Sequence, residues 1–137
     1  MVVHSKMNVE RGKDKIIIFE RRIGMWIGKL LEILELVDEN SVIKNITLND
    51  HGSDRGDYND FYIGEFENGK HTVKNLKDLL KYNVIGKTFI GYKGGDFTMD
   101  EDTRITLGGY GYSGQDIEGI LINEDGVSLK VQKVLYY

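Results

Sequence analysis

The sequence predicts an α+β fold, with two helices packed on one face of a mostly antiparallel sheet and a β-hairpin at the C-terminal end. Three observations predict it. Apolar residues recur at helical spacing in two separate stretches, Ile27 to Val37 and Val73 to Leu80. Runs of β-branched and aromatic residues fill the ground between and after them. The last part of the chain alternates apolar and polar residues on either side of a glycine-bearing turn.

Taken in order, Lys15-Ile16-Ile17-Ile18-Phe19 reads as a strand by its β-branched run. The segment that holds it has a second reading. Arg21-Arg22 can be encoded AGG-AGG, a purine-rich ribosome-recruiting sequence, and two codons separate it from Met25. On that reading Met25 is the natural start and residues 1–24 are a translated leader. From Met25 onward, Ile27, Leu30, Leu31, Leu34 and Val37 form one helical face and Lys29, Glu32, Glu35 and Asp38 the other. The helix is expected to run about three turns and to end near Asp38-Glu39-Asn40. Ser41 to Leu48 reads as a strand, Asn49 to Asn59 as a polar loop, Phe61 to Phe66 as a strand, and Asn68-Gly69 as a turn.

Thr72 is placed to cap a second helix from Val73 to about Asn83, with Gly86 ending it. Strands are expected at Lys87 to Tyr92 and Arg104 to Leu107, with a short extended piece at Phe97-Thr98-Met99 between them. The closing hairpin pairs Ile117 to Ile122 with Val127 to Val134 across Asn123-Glu124-Asp125-Gly126, with Gly126 in a left-handed position.

Composition bounds the function. The chain has 137 residues, enough for one domain with one core. It has no cysteine, so a thiolate nucleophile, a cysteine zinc site and disulfides are excluded. Net charge is −4. Six Lys/Arg and three Asp/Glu put +3 on residues 1–24, which leaves −7 on residues 25–137. An acidic body argues against general nucleic-acid binding, which needs clustered Lys/Arg against phosphates. No apolar run approaches membrane-spanning length, and a cytoplasmic location is the expectation. No cofactor is expected. Three histidines and no Gly-x-Ser-x-Gly elbow give nucleophilic catalysis little support. His71 is expected at the surface, and Trp26 in the core or a subunit contact.

Three glycine-rich or polar segments are candidate sites. In the first, His51 to Asp60, the residues His51, Asp54, Asp57 and Asp60 are conceivable metal ligands, but their spacing fits no calcium loop. Arg55 and Tyr58 are better placed as ligand contacts, one offering a planar fork and the other a stacking face. In the second, Gly91 to Met99, Gly94 and Gly95 let backbone N–H groups approach a ligand, and Lys93 can meet an anion. The plain alternative there is a tight hairpin with a glycine bulge. The third, Gly108 to Gly114, alternates glycine with Tyr110 and Tyr112 and is either a stacking strip or a surface loop.

Three stretches together resemble a family of small proteins found in phages and prophages. They are Met25 to Leu34, the Ser-x-Arg-Gly-x-Tyr motif at Ser53 to Tyr58, and the Gly-Tyr-Lys-Gly-Gly-x-Phe-x-Met motif at Gly91 to Met99. Tyr110-Gly111 matches a downstream Tyr-Gly element of that family. The resemblance covers about residues 25–120, and Gly-Tyr-Lys-Gly-Gly is its specific part. It implies a phage countermeasure to host defence, acting in the cytoplasm of the infected bacterium. The expected form is a non-catalytic, homodimeric or higher homo-oligomeric sponge for a small anionic nucleotide-derived signal. Its expected contacts are Arg55, Asp57, Tyr58, Tyr92, Lys93, Gly94, Gly95, Thr98 and Tyr110. An acidic inhibitor of a host defence enzyme is the competing expectation, and a nuclease or phosphodiesterase a weaker third.

The leader reading yields a test. Residues 25–137 expressed alone are expected to melt close to the full chain. A loss of more than about 2 kcal/mol on truncation means that a core strand has been removed.

Overall fold

The computed structural model describes residues 7–11, 14–18, 24–53, 60–90, 94–109 and 112–131, with side chains described for 24–53, 60–90, 94–108 and 114–131. The helices start in different ways. Helix α1 (Ile27–Leu34) follows Trp26, which caps it with extended backbone and no side-chain hydrogen bond. Its first N–H groups go instead to a distant turn: Ile27 donates to the Thr103 carbonyl and Gly28 to the Glu101 carbonyl, both at 2.9 Å. The start of α1 is therefore set by tertiary contact. Helix α2 (Val73–Asp78) has the local signal, a capping box in which Thr72 and Asn75 exchange backbone-to-side-chain hydrogen bonds.

The first helix ends earlier than expected, and the second runs its expected length but changes its hydrogen bonding part-way. Helix α1 ends at Leu34, Glu35 N–H makes its last α-helical bond to the Leu31 carbonyl, and the chain then tightens through Leu36 N–H to Ile33 and Val37 N–H to Leu34. The Asp38 carboxylate then takes the Asn40 N–H and turns the chain. Val37 is buried all the same, so the apolar pattern marked the core face correctly beyond the true helix end. Helix α2 passes at Leu79 into a π-helix that runs to Val84, with Ile85 N–H reaching back to Leu80. Glu35 of α1 takes Lys77 and Lys81 on one carboxylate oxygen, at 3.1 Å each. Those hydrogen bonds hold its carboxyl below the usual range and tie the two helical segments together.

The larger sheet is ordered β1 (Met7–Arg11), β2 (Asp14–Ile18), β9 (Tyr112–Asn123), β8 (Arg104–Gly109), β5 (Phe61–Glu65) and β4 (Ile46–Ser53). Short β3 (Met25–Trp26) pairs with β8, and β10 (Gly126–Val131) pairs with β9. All of these pairings are antiparallel except β5 with β8, which is parallel and sets Phe61 beside Ile105. The C-terminal hairpin is the one expected from alternation, and Val127 and Leu129 are buried. Residues 132–137 lie outside the described residues. β2 overlaps the Lys15 to Phe19 run, and its register against β9 sets Ile17 opposite Ile120. A second, two-stranded sheet joins β6 (Thr88–Ile90) and β7 (Asp96–Thr98). The helices lie on one face of the larger sheet, and Ile27, Leu30, Leu34, Leu76 and Leu80 meet Phe61, Ile63, Ile105, Leu107 and Ile120 in one core. Among the described residues no helix is long and apolar enough to cross a membrane.

Two expected boundaries move. The run Ser41 to Leu48 is not one strand. Its first part, Val42 to Asn45, is held by single bridges, Val42 to Thr72 on one side and Ile43 to Val127 of β10 on the other. There the Asn45 amide exchanges two hydrogen bonds with the Leu129 backbone, at 2.8 and 2.9 Å, and so extends the pairing with a side chain. The expected polar loop from Asn49 is strand as far as Ser53, because β4 carries a wide bulge at residues 48–50 and then resumes pairing with β5.

Gly69 crosses under this insertion. A β-carbon there would stand 2.3 Å from the Ile46 carbonyl oxygen and 2.7 Å from that of Ile43. Gly86 is the opposite case, with φ at +80° and open space around it. In urea titrations Gly69→Ala is expected to cost about 2–3 kcal/mol, since backbone cannot move aside. Gly86→Ala is expected to cost about 1 kcal/mol, the conformational term alone. Equal losses would contradict the close crossing.

Candidate functional site

Phe61 opens β5 with its side chain fully buried. Its ring receives Phe89 of β6 edge-on, with centroids 5.6 Å apart and planes at 70°. His51 of β4 tilts against the same ring at 5.9 Å. These contacts attach the β6–β7 hairpin to the end of the larger sheet. The hairpin turns Phe89 and Phe97 inward as a cross-strand pair and leaves Thr88, Ile90, Asp96 and Thr98 exposed. Ile90 is 75% exposed, an apolar residue held out in solvent.

The same end of the sheet carries a charge cluster that sequence reasoning missed. The Arg104 guanidinium donates through Nε and Nη2 to Asp116, and through Nη1 to Asp60 at 3.4 Å. The carboxylates are the more buried partners, at 12% and 15% side-chain exposure against 39% for the arginine. The cluster ties β8, β9 and the residue before β5 together. A signal for it exists in the sequence. Asp60, Arg104 and Asp116 each stand immediately before a buried apolar residue, Phe61, Ile105 and Ile117. Three charges at the entrances of three apolar runs are placed to meet if those runs lie side by side.

The bulge at residues 48–50 is built from side chains as well. Leu48 N–H donates to His71 Nδ1 at 3.2 Å, and the Leu48 carbonyl lies 2.6 Å from His51 Nδ1. Tyr62, itself buried, donates its hydroxyl to Asp50 at 2.5 Å. Gly64 lies under the bulge, and a β-carbon there would stand 2.8 Å from that of Asp50. His71, expected at the surface, is thus half-buried and in use as an acceptor.

The expected ligand contacts divide. Arg55, Asp57, Tyr58, Tyr92, Lys93 and Tyr110 lie outside the described residues. Gly94 has φ at +88° with open space where a β-carbon would stand, and a β-carbon on Gly95 would lie 3.6 Å from the Phe97 ring. Thr98 is exposed, with its hydroxyl 3.0 Å from that of Thr88. The ends of the loops can be placed even so. Residues 54–59 leave Ser53 and rejoin the chain at Asp60, next to Phe61, and residues 91–93 follow Ile90, next to Phe89.

Of the four side chains weighed as metal ligands, two are described. Asp60 pairs with Arg104 and the His51 ring sits on the Leu48 carbonyl. No group of three acidic or histidine side chains suited to a metal occurs among the described residues.

A concave feature lies along α1, away from these segments. Trp26, Gly28, Lys29, Leu31, Glu32, Glu35, Glu101 and Asp102 line an open groove of about 570 Å3. Trp26 forms part of its wall and is half-buried, not a core residue. Comparisons with models of protein families, with curated proteins and with solved structures found no match.

Removing the guanidinium would leave two mostly buried carboxylates facing each other. Arg104→Met is expected to cost about 1–3 kcal/mol, a range that discounts the arginine's own exposure. Arg104→Lys should recover less than half of it, because an ammonium lacks the fork that reaches both partners. Full recovery by lysine in a denaturation series would show that the fork has no role.

Proposed function

We propose that this is a non-catalytic binding protein that sequesters a small anionic nucleotide-derived ligand, encoded by a phage against a host immune signal and acting in the cytoplasm of the infected cell. One observation carries the reading. The Phe61–Phe89 contact brings the ends of the two motif loops, residues 54–59 and 91–93, to one end of the sheet. In this reading Arg55 and Lys93 meet phosphate, Tyr58 or Tyr92 stacks on a base, and the Gly94-Gly95 backbone donates hydrogen bonds. Asp57 and Thr98 complete the polar lining. The positive φ of Gly94 and the open space beside it leave its backbone approachable, as this role requires.

The reading includes a homodimer. A dinucleotide-sized pocket forms most easily between two copies of a small domain, and twofold dimers are the commonest assembly. Light scattering at tens of micromolar is expected to give a dimer mass, and a monomer mass contradicts this part of the reading.

The decisive experiment is calorimetry on the full chain against a panel of cyclic dinucleotides and cyclic ADP-ribose isomers. One panel member is expected to bind and to be recovered intact after heat release, as for a sponge. Recovery of a cleaved product would make the protein an enzyme. A charged hydrogen bond contributes roughly 1.5–3 kcal/mol. Arg55→Ala is therefore expected to weaken binding by about tenfold to a hundredfold with an unchanged melting temperature. If no panel member binds and one stoichiometric host protein co-purifies instead, the inhibitor reading replaces this one.

A further inference from the structure

The groove along α1 has a chemistry opposite to that of the proposed ligand site. Its lining carries four carboxylates, Glu32, Glu35, Glu101 and Asp102, against one ammonium, Lys29. Glu35 is already balanced by Lys77 and Lys81. Among the described residues no cation stands within ion-pair distance of Glu32, Glu101 or Asp102. The positive end of the α1 dipole offsets little of this charge, because its first two N–H groups are taken by the Thr103 and Glu101 carbonyls.

The aromatic wall points the same way. Lys29 Nζ stands over the Trp26 ring at 5.3 Å, so the indole face already holds one cation drawn from its own helix. The groove falls within the size range of ordinary ligand pockets. The turn that forms its far wall is firm. The Asp100 N–H and the Thr103 hydroxyl pair at 2.9 Å, and the Asp102 N–H donates to the Asp100 carboxylate at 2.8 Å.

We propose that this groove is a docking surface for a protein segment carrying closely spaced lysine or arginine side chains, one of which displaces Lys29 from the Trp26 face while others meet Glu32, Glu101 and Asp102. Charge complementarity selects this partner. An anionic nucleotide is repelled by the lining, and a purely apolar segment would leave three carboxylates without partners. The surface does not depend on the ligand reading above.

Trp26 is the chain's single tryptophan and reports on the groove directly. The full chain is titrated with a hexa-arginine peptide, with hexa-glutamine as control, and indole emission is followed. Saturable change is expected with the arginine peptide alone. Glu101→Gln with Asp102→Asn should weaken it by about three- to tenfold, as two exposed pairs do. Neither substitution touches the backbone carbonyls that cap α1. Glu65→Gln with Glu67→Gln removes the same charge outside the groove and should change affinity less than twofold. Lys29→Met should tighten binding, and Lys70→Met should not. No saturable change overturns the proposal. Equal weakening by the two double variants also overturns it, because attraction to an acidic protein as a whole would then explain the binding.

Discussion

The edge-on contact between Phe89 and the buried ring of Phe61 is the constraint on which the functional geometry depends. The β6–β7 hairpin pairs with no other strand of the described structure. It also packs against β4, and hydrogen bonds at its base run from Gly86 N–H to the Met99 carbonyl and from Met99 N–H to the Lys87 carbonyl. Those bonds fix where the hairpin leaves the fold, and the ring contact fixes the direction in which it leans. Phe61 can serve as an anchor because the parallel register of β5 with β8 seats it beside Ile105. The Arg104 cluster then holds the residue immediately before it.

Local pattern revealed what local physics decides. The apolar faces of both helices, the Thr72 cap and the alternation in the C-terminal hairpin were all legible in the sequence, because each depends on residues a few positions apart. What was not legible depends on distant partners. The start of α1 is set by carbonyls more than seventy positions away. The insertion of Val42 to Asn45 rests on one asparagine that mimics a peptide group toward Leu129. The bulge at residues 48–50 hid the continuation of β4, since three extra residues, Leu48, Asn49 and Asp50, break the period of two that marks a strand. The π-helical continuation of α2 kept Leu80 and Val84 buried, so the apolar pattern gave no sign that the hydrogen bonding had changed.

The candidate sites divide in the same way. Glycine pairs and aromatic-basic motifs stand out in a sequence, and they directed attention to residues 54–59 and 91–98. The groove along α1 has no motif. It is assembled from Trp26 and Lys29 on one side and Glu101 and Asp102 on the other, and its charge becomes visible only when the two are brought together. The outcome is a small fold with an acidic groove along its first helix and a glycine-rich motif set, carrying Arg55 and Lys93 among aspartates, whose flanking residues lie at one end of its sheet.

The anchoring role of the ring pair is tested most directly by a double-mutant cycle on Phe61 and Phe89 in the full chain. Phe61→Leu, Phe89→Leu and the double variant are compared by urea unfolding. The account predicts a coupling of about 0.5–1.5 kcal/mol, the range for a specific aromatic pair beyond simple burial. Strictly additive losses would contradict it, and the hairpin would then be positioned by its base and its packing against β4.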